Sequence, residues 1–369
     1  MSELNYLEKL LDGTEVEWKA LGDVTSVLRG KRLTKNLLSA EEKFPVFHGG
    51  LEPLGYYNKS NRPANTVMII NVGASAGTVG YSTVDFWSSD GCFCLEHNEL
   101  LNNRFLYFAL IGYQSLLKSK VRVAGIPTLD AIVVNKLLIP IPCPENPEKS
   151  LAIQSEIVRI LDTFTALTAE LTAELTAELN MRKKQYNYYR DQLLSFKEGE
   201  VEWKALEEVS DIYDSLHQTP QYSKNGLSMI RVTDIKNGYI DLKNTLKVND
   251  GIFSIFTKKY LPQKNDLVMS RVGSYGNVGI IPTDNSACMG QNTVVIHPYI
   301  NNRYLFYILT SSIGQDFIEK NVGGGSQKTL SLKSIKSIPI PLTGESEQSK
   351  IVSILDKFDT LTNSITEGL

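Results

Sequence analysis

Cysteine is scarce in this chain. There are four in 369 residues, Cys92, Cys94, Cys143 and Cys288, too few for a disulfide framework and consistent with a reducing cytoplasm. No apolar run approaches the roughly 20 residues that span a bilayer. The start, Met1-Ser2-Glu3-Leu4, has neither the basic nor the apolar stretch of a secretion signal. Charge of one sign is also lacking: the net value of −3 does not by itself announce a nucleic-acid binder. With 42% apolar and 21% charged residues, wholesale disorder is excluded. The length suits two or three domains.

Catalytic chemistry is missing as well. No Asn-Pro-Pro-Tyr-like element, which an amino-methyltransferase uses to hold an extruded base, is present. The sole Gly-x-Gly lies inside Gly323-Gly324-Gly325. The run Val322 to Thr329 resembles a phosphate loop, but Gln327 stands where the glycine before the lysine belongs. Cys92-x-Cys94 has no second pair at zinc-finger spacing. His48, His97, His217 and His297 are scattered.

What the chain has is a repeat. Val16-Glu17-Trp18-Lys19-Ala20-Leu21 returns unchanged at Val201 to Leu206. Asn102-Asn103-Arg104-Phe105-Leu106-Tyr107 returns from Asn301 to Phe306, and Ile139-Pro140-Ile141-Pro142 as Ile338-Pro339-Ile340-Pro341. Gln154 to Asp162 returns as Gln348 to Asp356. One unit of nearly 190 residues is present twice, at offsets of 185 to 199. Its ends match closely and its middle does not: Lys31 to Arg62 has no counterpart in Leu216 to Lys264. Tyr6 to Leu11 resembles Tyr189 to Leu194, so joining the chain ends would close a cycle of two halves about a pseudo-twofold axis.

Glu148 to Phe196 has helical apolar spacing, beginning just after Pro144 and Pro147. Inside it run three Thr-Ala-Glu-Leu tetrads, Thr168 to Leu179. The stripe Leu167, Leu171, Leu175 and Leu179 drifts by about 40° per tetrad and calls for a partner that follows it. The second-unit helix from Glu345 is the expected antiparallel partner, the pair acting as a spacer. Thr66 to Val72 and Asp266 to Arg271 read as strands leading into glycine turns, and Asn103 to Leu117 and Asn302 to Glu319 as helices capped by Asn103 and Asn302.

Charge is uneven. Thr25 to Asn65 holds seven basic residues and three acids, Leu216 to Lys264 eight and three, and Glu145 to Leu179 two and seven. Basic inserts joined by an acidic helix fit a protein that touches DNA with its inserts. Candidate DNA contacts are Arg29, Lys31, Arg32, Lys35, Tyr57, Lys59, Arg62, Ser75 and Thr78 in the first unit. In the second they are Lys224, Arg231, Lys236, Ser274, Tyr275, Asn277, Gln327 and Lys328. Arg231 or Lys236 could instead simply pair with Asp234.

On the repeated frame, the tetrads, the IPIP-then-QxxIVxILD run and the EVEWK-L segments, the chain resembles the specificity (S) subunit of type I restriction-modification systems, type IC-like in its tetrads. The resemblance implies an α+β chain of two mixed α/β target-recognition domains, 13–147 and 199–343. These would be joined by long antiparallel coiled-coil helices, 148–198 and 344–369, with 1–12 a helix tail. The distal helix is shorter than a continuation like Asn180 to Phe196 would make it. The resemblance also implies that each recognition domain reads one half of a bipartite site on double-stranded DNA. The helices would set the spacer and dock two adenine-modification subunits, and restriction/translocase subunits would join through them. The chain itself would be non-catalytic and bind no cofactor. A stand-alone two-lobed DNA-binding or scaffolding protein is the competing reading; a self-sufficient methyltransferase is contradicted by the missing motifs.

Overall fold

The computed structural model describes residues 13–197, 199–236, 238–325 and 328–366, with side chains to residue 360 in the last stretch. The helix tail expected over 1–12 and the candidate Gln327 lie outside the described residues. The chain divides into two compact units, Met1–Thr172 and Ala173–Leu369.

Unit 1 opens with β1 (Val16–Ala20) and a single helical turn, α1 (Leu21–Val24). The strands β2 (Val27–Arg29), β3 (Phe44–Phe47), β4 (Gly55–Tyr57), β5 (Thr66–Ile70), β6 (Val79–Ser82), β7 (Trp87–Ser88) and β8 (Cys92–Leu95) follow. Then come α2 (Asn103–Gly112), α3 (Gln114–Ser119), α4 (Ala131–Asn135), β9 (Leu138–Pro142) and the 47-residue α5 (Pro147–Leu193), which runs on into unit 2. The strands form a four-stranded sheet β2-β8-β5-β6, a three-stranded sheet β4-β3-β7 and a ribbon β1-β9. Val67, Ile69 and Phe93 face a core shared with Leu106, Leu110 and Leu117 of the helices. Met68, Ile70, Cys92 and Cys94 face a second core with Phe47 and Phe86. This is the period-two alternation of strands buried on both faces.

Unit 2 repeats the plan with β10 (Glu202–Ala205), β11 (Ser210–Asp214), β12 (Leu227–Ile230), β13 (Ile235–Lys236), β14 (Gly238–Ile240) and β15 (Leu246–Val248). These are followed by α6 (Asp250–Phe256), β16 (Leu267–Ser270), β17 (Val278–Ile280), β18 (Ala287–Met289) and β19 (Thr293–Pro298). The unit closes with α7 (Asn302–Thr310), α8 (Ser312–Asn321), α9 (Leu332–Lys336), β20 (Pro339–Leu342) and α10 (Glu345–Thr366). Its sheets are β11-β19-β16-β17-β14-β13, β15-β12-β18 and β10-β20. The inserts, unrelated in sequence, therefore share a core topology. In each three-stranded sheet the middle strand pairs antiparallel with one neighbour and parallel with the other. Unit 2 adds the β13–β14 hairpin and α6.

The ribbons explain the Ile-Pro-Ile-Pro pattern. Leu21 N–H donates to Leu137 C=O (2.7 Å) and Cys143 N–H to Glu15 C=O (2.9 Å). Hydrogen-bonded pairs alternate in an antiparallel ladder, so Ile139 and Ile141 bond to β1 while Pro140 and Pro142 fall where no N–H is required. The registers Trp18↔Pro140 and Trp203↔Pro341 correct the sequence alignment. Pro140 corresponds to Pro341, not Pro339, because a period-two motif aligns equally well after a slip of two.

Two helix features also differ from expectation. The expected helices from Asn103 and Asn302 are each broken, at Tyr113 and Ser311. The caps lie one residue earlier: Asn102 Oδ1 accepts from Arg104 and Phe105 N–H, and Asn301 Oδ1 from Arg303 and Tyr304 N–H. Asn103 instead bonds Asn65 C=O at 3.1 Å.

A clasp fastens the long helices to their units. Gln154 is fully buried; its Oε1 accepts the Asn102 N–H (2.8 Å) and its Nε2 donates to Leu100 C=O (3.1 Å). Gln348, also buried, accepts the Asn301 N–H (3.2 Å) and donates to Thr343 C=O (2.8 Å). Two turns further on, Arg104 pairs with Asp162 and Arg303 with Asp356, both at 2.7 Å. In unit 2 the end of α5 runs antiparallel to α10. Leu193 and Ile351 pack in one core, Tyr189 stacks on Phe358 (5.7 Å, 16°), and the Asp359 charge acts on Tyr186. Burial first, then Asp359, pushes the Tyr186 hydroxyl up to about 12. The tetrad stripe is only partly covered: Leu175 and Leu179 are half-buried, whereas Leu167 and Leu171 are 57% and 53% exposed.

Replacing Gln348 by alanine leaves the Asn301 N–H and the Thr343 carbonyl unpaired. It is expected to destabilise unit 2 by about 2 kcal/mol in urea unfolding, and Gln154→Ala to do the same in unit 1. A loss below about 0.5 kcal/mol, the range of an ordinary surface substitution, would show that the clasp is dispensable.

Candidate nucleic-acid interface

In unit 1 the first insert folds back on the end of β2. Gly30 N–H donates to Cys92 C=O and Lys31 N–H to Ser88 C=O. A Cβ at Gly30 would lie 1.9 Å from the Ser89 carbonyl oxygen, so only glycine fits this crossing. Trp87 Nε1 donates to Lys31 C=O (2.8 Å), and its ring meets Tyr57 edge to face at 5.2 Å. Arg62 reaches the carbonyls of Asn61 (2.8 Å) and Arg29 (3.3 Å). Asn61 holds Ser88 through both its amide atoms. Arg29, Lys31, Tyr57 and Arg62 are thus gathered around Trp87, which sequence reasoning passed over. Arg32, Lys35 and Lys59 are exposed. None of Arg29, Lys31, Arg32, Lys35, Lys59 and Arg62 has an ion-pair partner among the described residues. Unneutralised cations beside aromatic edges are what phosphate and base contacts require.

The glycine turn carrying Ser75 and Thr78 packs against α3, where a Cβ on Gly77 would come 2.8 Å from the Lys118 nitrogen. Gly73 N–H donates to Pro127 C=O and Val72 bridges Thr128, so a second loop, 121–128, lies against the turn. Its flanking Lys118 and Lys120 and its Arg122 were also missed, because basic residues in a helix–loop junction carry no sequence signal of their own.

In unit 2 the corresponding turn and loop are tied by side chains. Tyr275 O–H donates to Glu319 (2.7 Å), and Lys328 Nζ sits 3.2 Å from the same carboxylate and 5.7 Å from the Tyr275 ring. The Tyr275 hydrogen bond, then the Lys328 one, holds the Glu319 carboxyl below its ordinary value, and Glu319 in turn raises Lys328. Ser274 and Asn277 are exposed on the turn. Underneath, Arg271 binds both Asp214 oxygens (2.7 and 2.8 Å) and donates to Leu330 C=O, joining β11, β16 and the loop. Arg231 is engaged by the buried Asp234 through its backbone N–H, Nε and Nη2, so it is the residue that takes the pairing role. Lys224 and Lys236 stay exposed in the insert, and among the described residues no hydrogen bond or ion pair joins them to the Tyr275 cluster. Each histidine has a local partner: His48 with Asp90, His97 with Thr66, His217 with Asp214 and His297 with Asp266. Among the described residues no group of His, Cys, Asp and Glu could hold a metal ion, and no helix is long and apolar enough to cross a membrane.

One α+β module built twice, with divergent inserts displaying basic and aromatic groups and the same clasp onto a helix, defines a duplicated recognition protein. The family described as type I restriction modification DNA specificity domain matches residues 14–181 and again 198–369. The type I restriction enzyme EcoR124I/EcoR124II specificity subunit of Escherichia coli is 38% identical over 390 residues, covering 100% of this chain and 93% of its own. The EcoprrI specificity subunit of the same species is 35% identical over 405 residues, with the same coverages. A chain solved in work on complex assembly and conformational transition of the type I R-M system superposes with a TM-score of 0.65 at 16% identity, over 96% of this chain and 93% of that one. That likeness shows the fold. The chain belongs to the family of type I restriction-modification specificity subunits.

Arg231→Ala strands the Asp234 carboxylate and is expected to cost about 2 kcal/mol in thermal or urea unfolding, the partial exposure of the pair reducing the penalty of a fully buried one. Lys236→Ala should stay within about 0.5 kcal/mol. Equal effects of the two would contradict the assignment of Arg231 to Asp234.

Proposed function

We propose that this chain is the DNA-specificity subunit of a cytoplasmic type I restriction-modification complex, non-catalytic and without a cofactor of its own. The segments 13–147 and 199–343 act as target-recognition domains, each reading one half of a bipartite site on double-stranded DNA. The segments 148–198 and 344–369 act as helices that set the unread spacer. The same helices dock two adenine methyltransferase subunits, and restriction/translocase subunits join through them. S-adenosylmethionine, Mg and ATP belong to these partners. The observation that carries the reading is the family match in both copies, 14–181 and 198–369, in a chain whose frame is repeated and whose inserts are not.

In the first half-site, Arg29, Lys31, Arg32, Lys35 and Lys59 meet phosphates, and Tyr57 and Arg62 line the same surface. Ser75 and Thr78 approach from the glycine turn. In the second, Ser274, Tyr275, Asn277 and Lys328 act together, with Lys224 and Lys236 on the insert. Arg231 contributes as a strut rather than as a phosphate contact.

Co-expression with a methyltransferase subunit in a methylation-free host, followed by genome-wide mapping of N6-methyladenine, should return one bipartite motif with a fixed spacer. Absence of any bipartite motif from an assembled complex would refute the reading. A tetrad adds about 6 Å of helix and a base pair about 3.4 Å. Deleting Thr172 to Leu175 should therefore shorten the spacer by about one or two base pairs and leave both half-sites unchanged. An altered half-site with the spacer kept would refute the ruler. Replacing Lys31 and Arg32 together by alanine should reduce the slope of log K against log salt by about 2, one per lost phosphate contact. An unchanged slope would remove them from the interface.

A further inference from the structure

The loop 121–128 of unit 1 holds apolar side chains out in solvent. Val123 is 80% exposed and Ile126 71%, the two highest values for large apolar side chains among the described residues. The loop is nevertheless closed and braced. Arg122 and Thr128 exchange both backbone hydrogen bonds (2.9 and 3.0 Å), and Thr128 Oγ1 donates to Ile126 C=O (2.9 Å). Arg122 pairs with Asp130 at 3.2 Å. Gly125, at φ +84°, turns the chain at the tip. Behind it, Gly73 N–H donates to Pro127 C=O (2.9 Å), and the buried Leu129 donates its N–H to Asn71 C=O (2.8 Å). Branched aliphatic side chains thus project from a preset backbone, so covering them costs little backbone entropy.

The surroundings select the occupant. Lys118 and Lys120 flank the loop, are exposed, and have no ion-pair partner among the described residues. The turn that the loop braces carries Ser75 and Thr78. Lysines are depleted at the core of protein interfaces, whereas phosphates on either side of a groove require them. Neither Val123 nor Ile126 can hydrogen-bond a base edge. Aliphatic side chains can instead enter between stacked bases, as apolar wedges do from the minor groove. A tip closed by one hydrogen-bonded pair is about 5.5 Å across between Cα atoms, close to the roughly 6 Å width of that groove. Unit 2 lacks the feature. Its loop is closed by the same exchange between Gly323 and Thr329 (3.0 and 2.7 Å). Aligned on those bridges, Gly324 corresponds in sequence to Val123 and Gln327 to Ile126.

We infer that Val123 and Ile126 form an apolar wedge that enters the minor groove of the first half-site and unstacks one base step, kinking the duplex in that half-site alone. The inference rests on the reading above that unit 1 binds one half of a bipartite duplex site. It adds residues far along the chain from the divergent insert, which read that half-site through the deformability of a step rather than through hydrogen bonds.

The test uses the full chain in complex with the methyltransferase subunit, on the site that methylation mapping returns. 2-Aminopurine replaces each adenine and pyrrolocytosine each cytosine in turn, on both strands of both half-sites, except at the methylated adenines. Bending is read by energy transfer between the duplex ends. The unaltered complex should brighten the probe at one step of the first half-site and bend the duplex by at least about 20°. Val123→Ser with Ile126→Ser should abolish both signals and weaken binding at least about tenfold. The slope against salt should stay unchanged, because no cation is lost. Val123→Ile with Ile126→Leu should retain both signals. Equal brightening and bending by the serine variant would overturn the inference. So would weaker binding without a bend, matched by an equal loss when deoxyuridine replaces thymidine in the first half-site, which would make a thymine methyl the contact. Departure of a methyltransferase subunit from the serine variant would also overturn it, making the loop a protein contact. A bipartite motif without a kink in the unaltered complex would refute the inference alone. No bipartite motif from the assembled complex would refute the specificity reading and this inference with it.

Discussion

The structure depends on one buried amide in each unit. Gln154 and Gln348 sit where a helix-capping loop meets the start of a long helix, and each, itself buried, satisfies a donor and an acceptor of that loop. A buried amide left half-paired is costly, so the angle at which the helix leaves the module is tightly constrained. The Arg104–Asp162 and Arg303–Asp356 pairs act two turns further along the same helices. Insert residues can change freely because this geometry does not pass through them. That is the physical reason for near-identity at the ends of each repeat beside divergence in its middle.

The clasp does not make the units equal. In unit 2, Tyr186, Leu193 and Leu194 close over Ile351 and Leu355, which are buried. Their counterparts Ile157 and Leu161 in unit 1 are only half-buried by the described residues. The unit 2 arginine also has Asp359 within 3.8 Å as a second carboxylate, where the first helix carries Thr165. The second clasp is accordingly the more heavily built.

Much of the architecture was legible in the sequence. The repeat, the long helix from Pro147 and the strands before the glycine turns followed from periodicity and punctuation. The shared three-stranded sheet of the inserts did not, because strand pairing asks only for alternation, which Phe44–Phe47 and Leu227–Ile230 meet with different residues. The caps were displaced by one residue because Asn102 and Asn103 are adjacent and only geometry tells them apart. For the candidate interface, cations could be read but not their partners. Arg231 and Arg29 look alike in sequence, yet only Arg231 has a carboxylate three residues away on a turn that folds back to it. Trp87 was overlooked because its importance comes from Lys31 and Tyr57, neither of them near it in the chain.

The Ile-Pro alternation of β9 and β20 has a consequence for solubility. Every proline of these strands sits where its nitrogen would point away from the partner strand, so the outer edge formed by β9 or β20 offers carbonyls but few donors. A foreign strand arriving there finds half its hydrogen bonds impossible to form. β9 and β20 can each complete a ribbon within their own module but cannot template another chain along their outer edge. A cell making many copies of a two-module protein is thereby spared polymers that grow through these two edges, even though the same strand pair is built twice in every molecule.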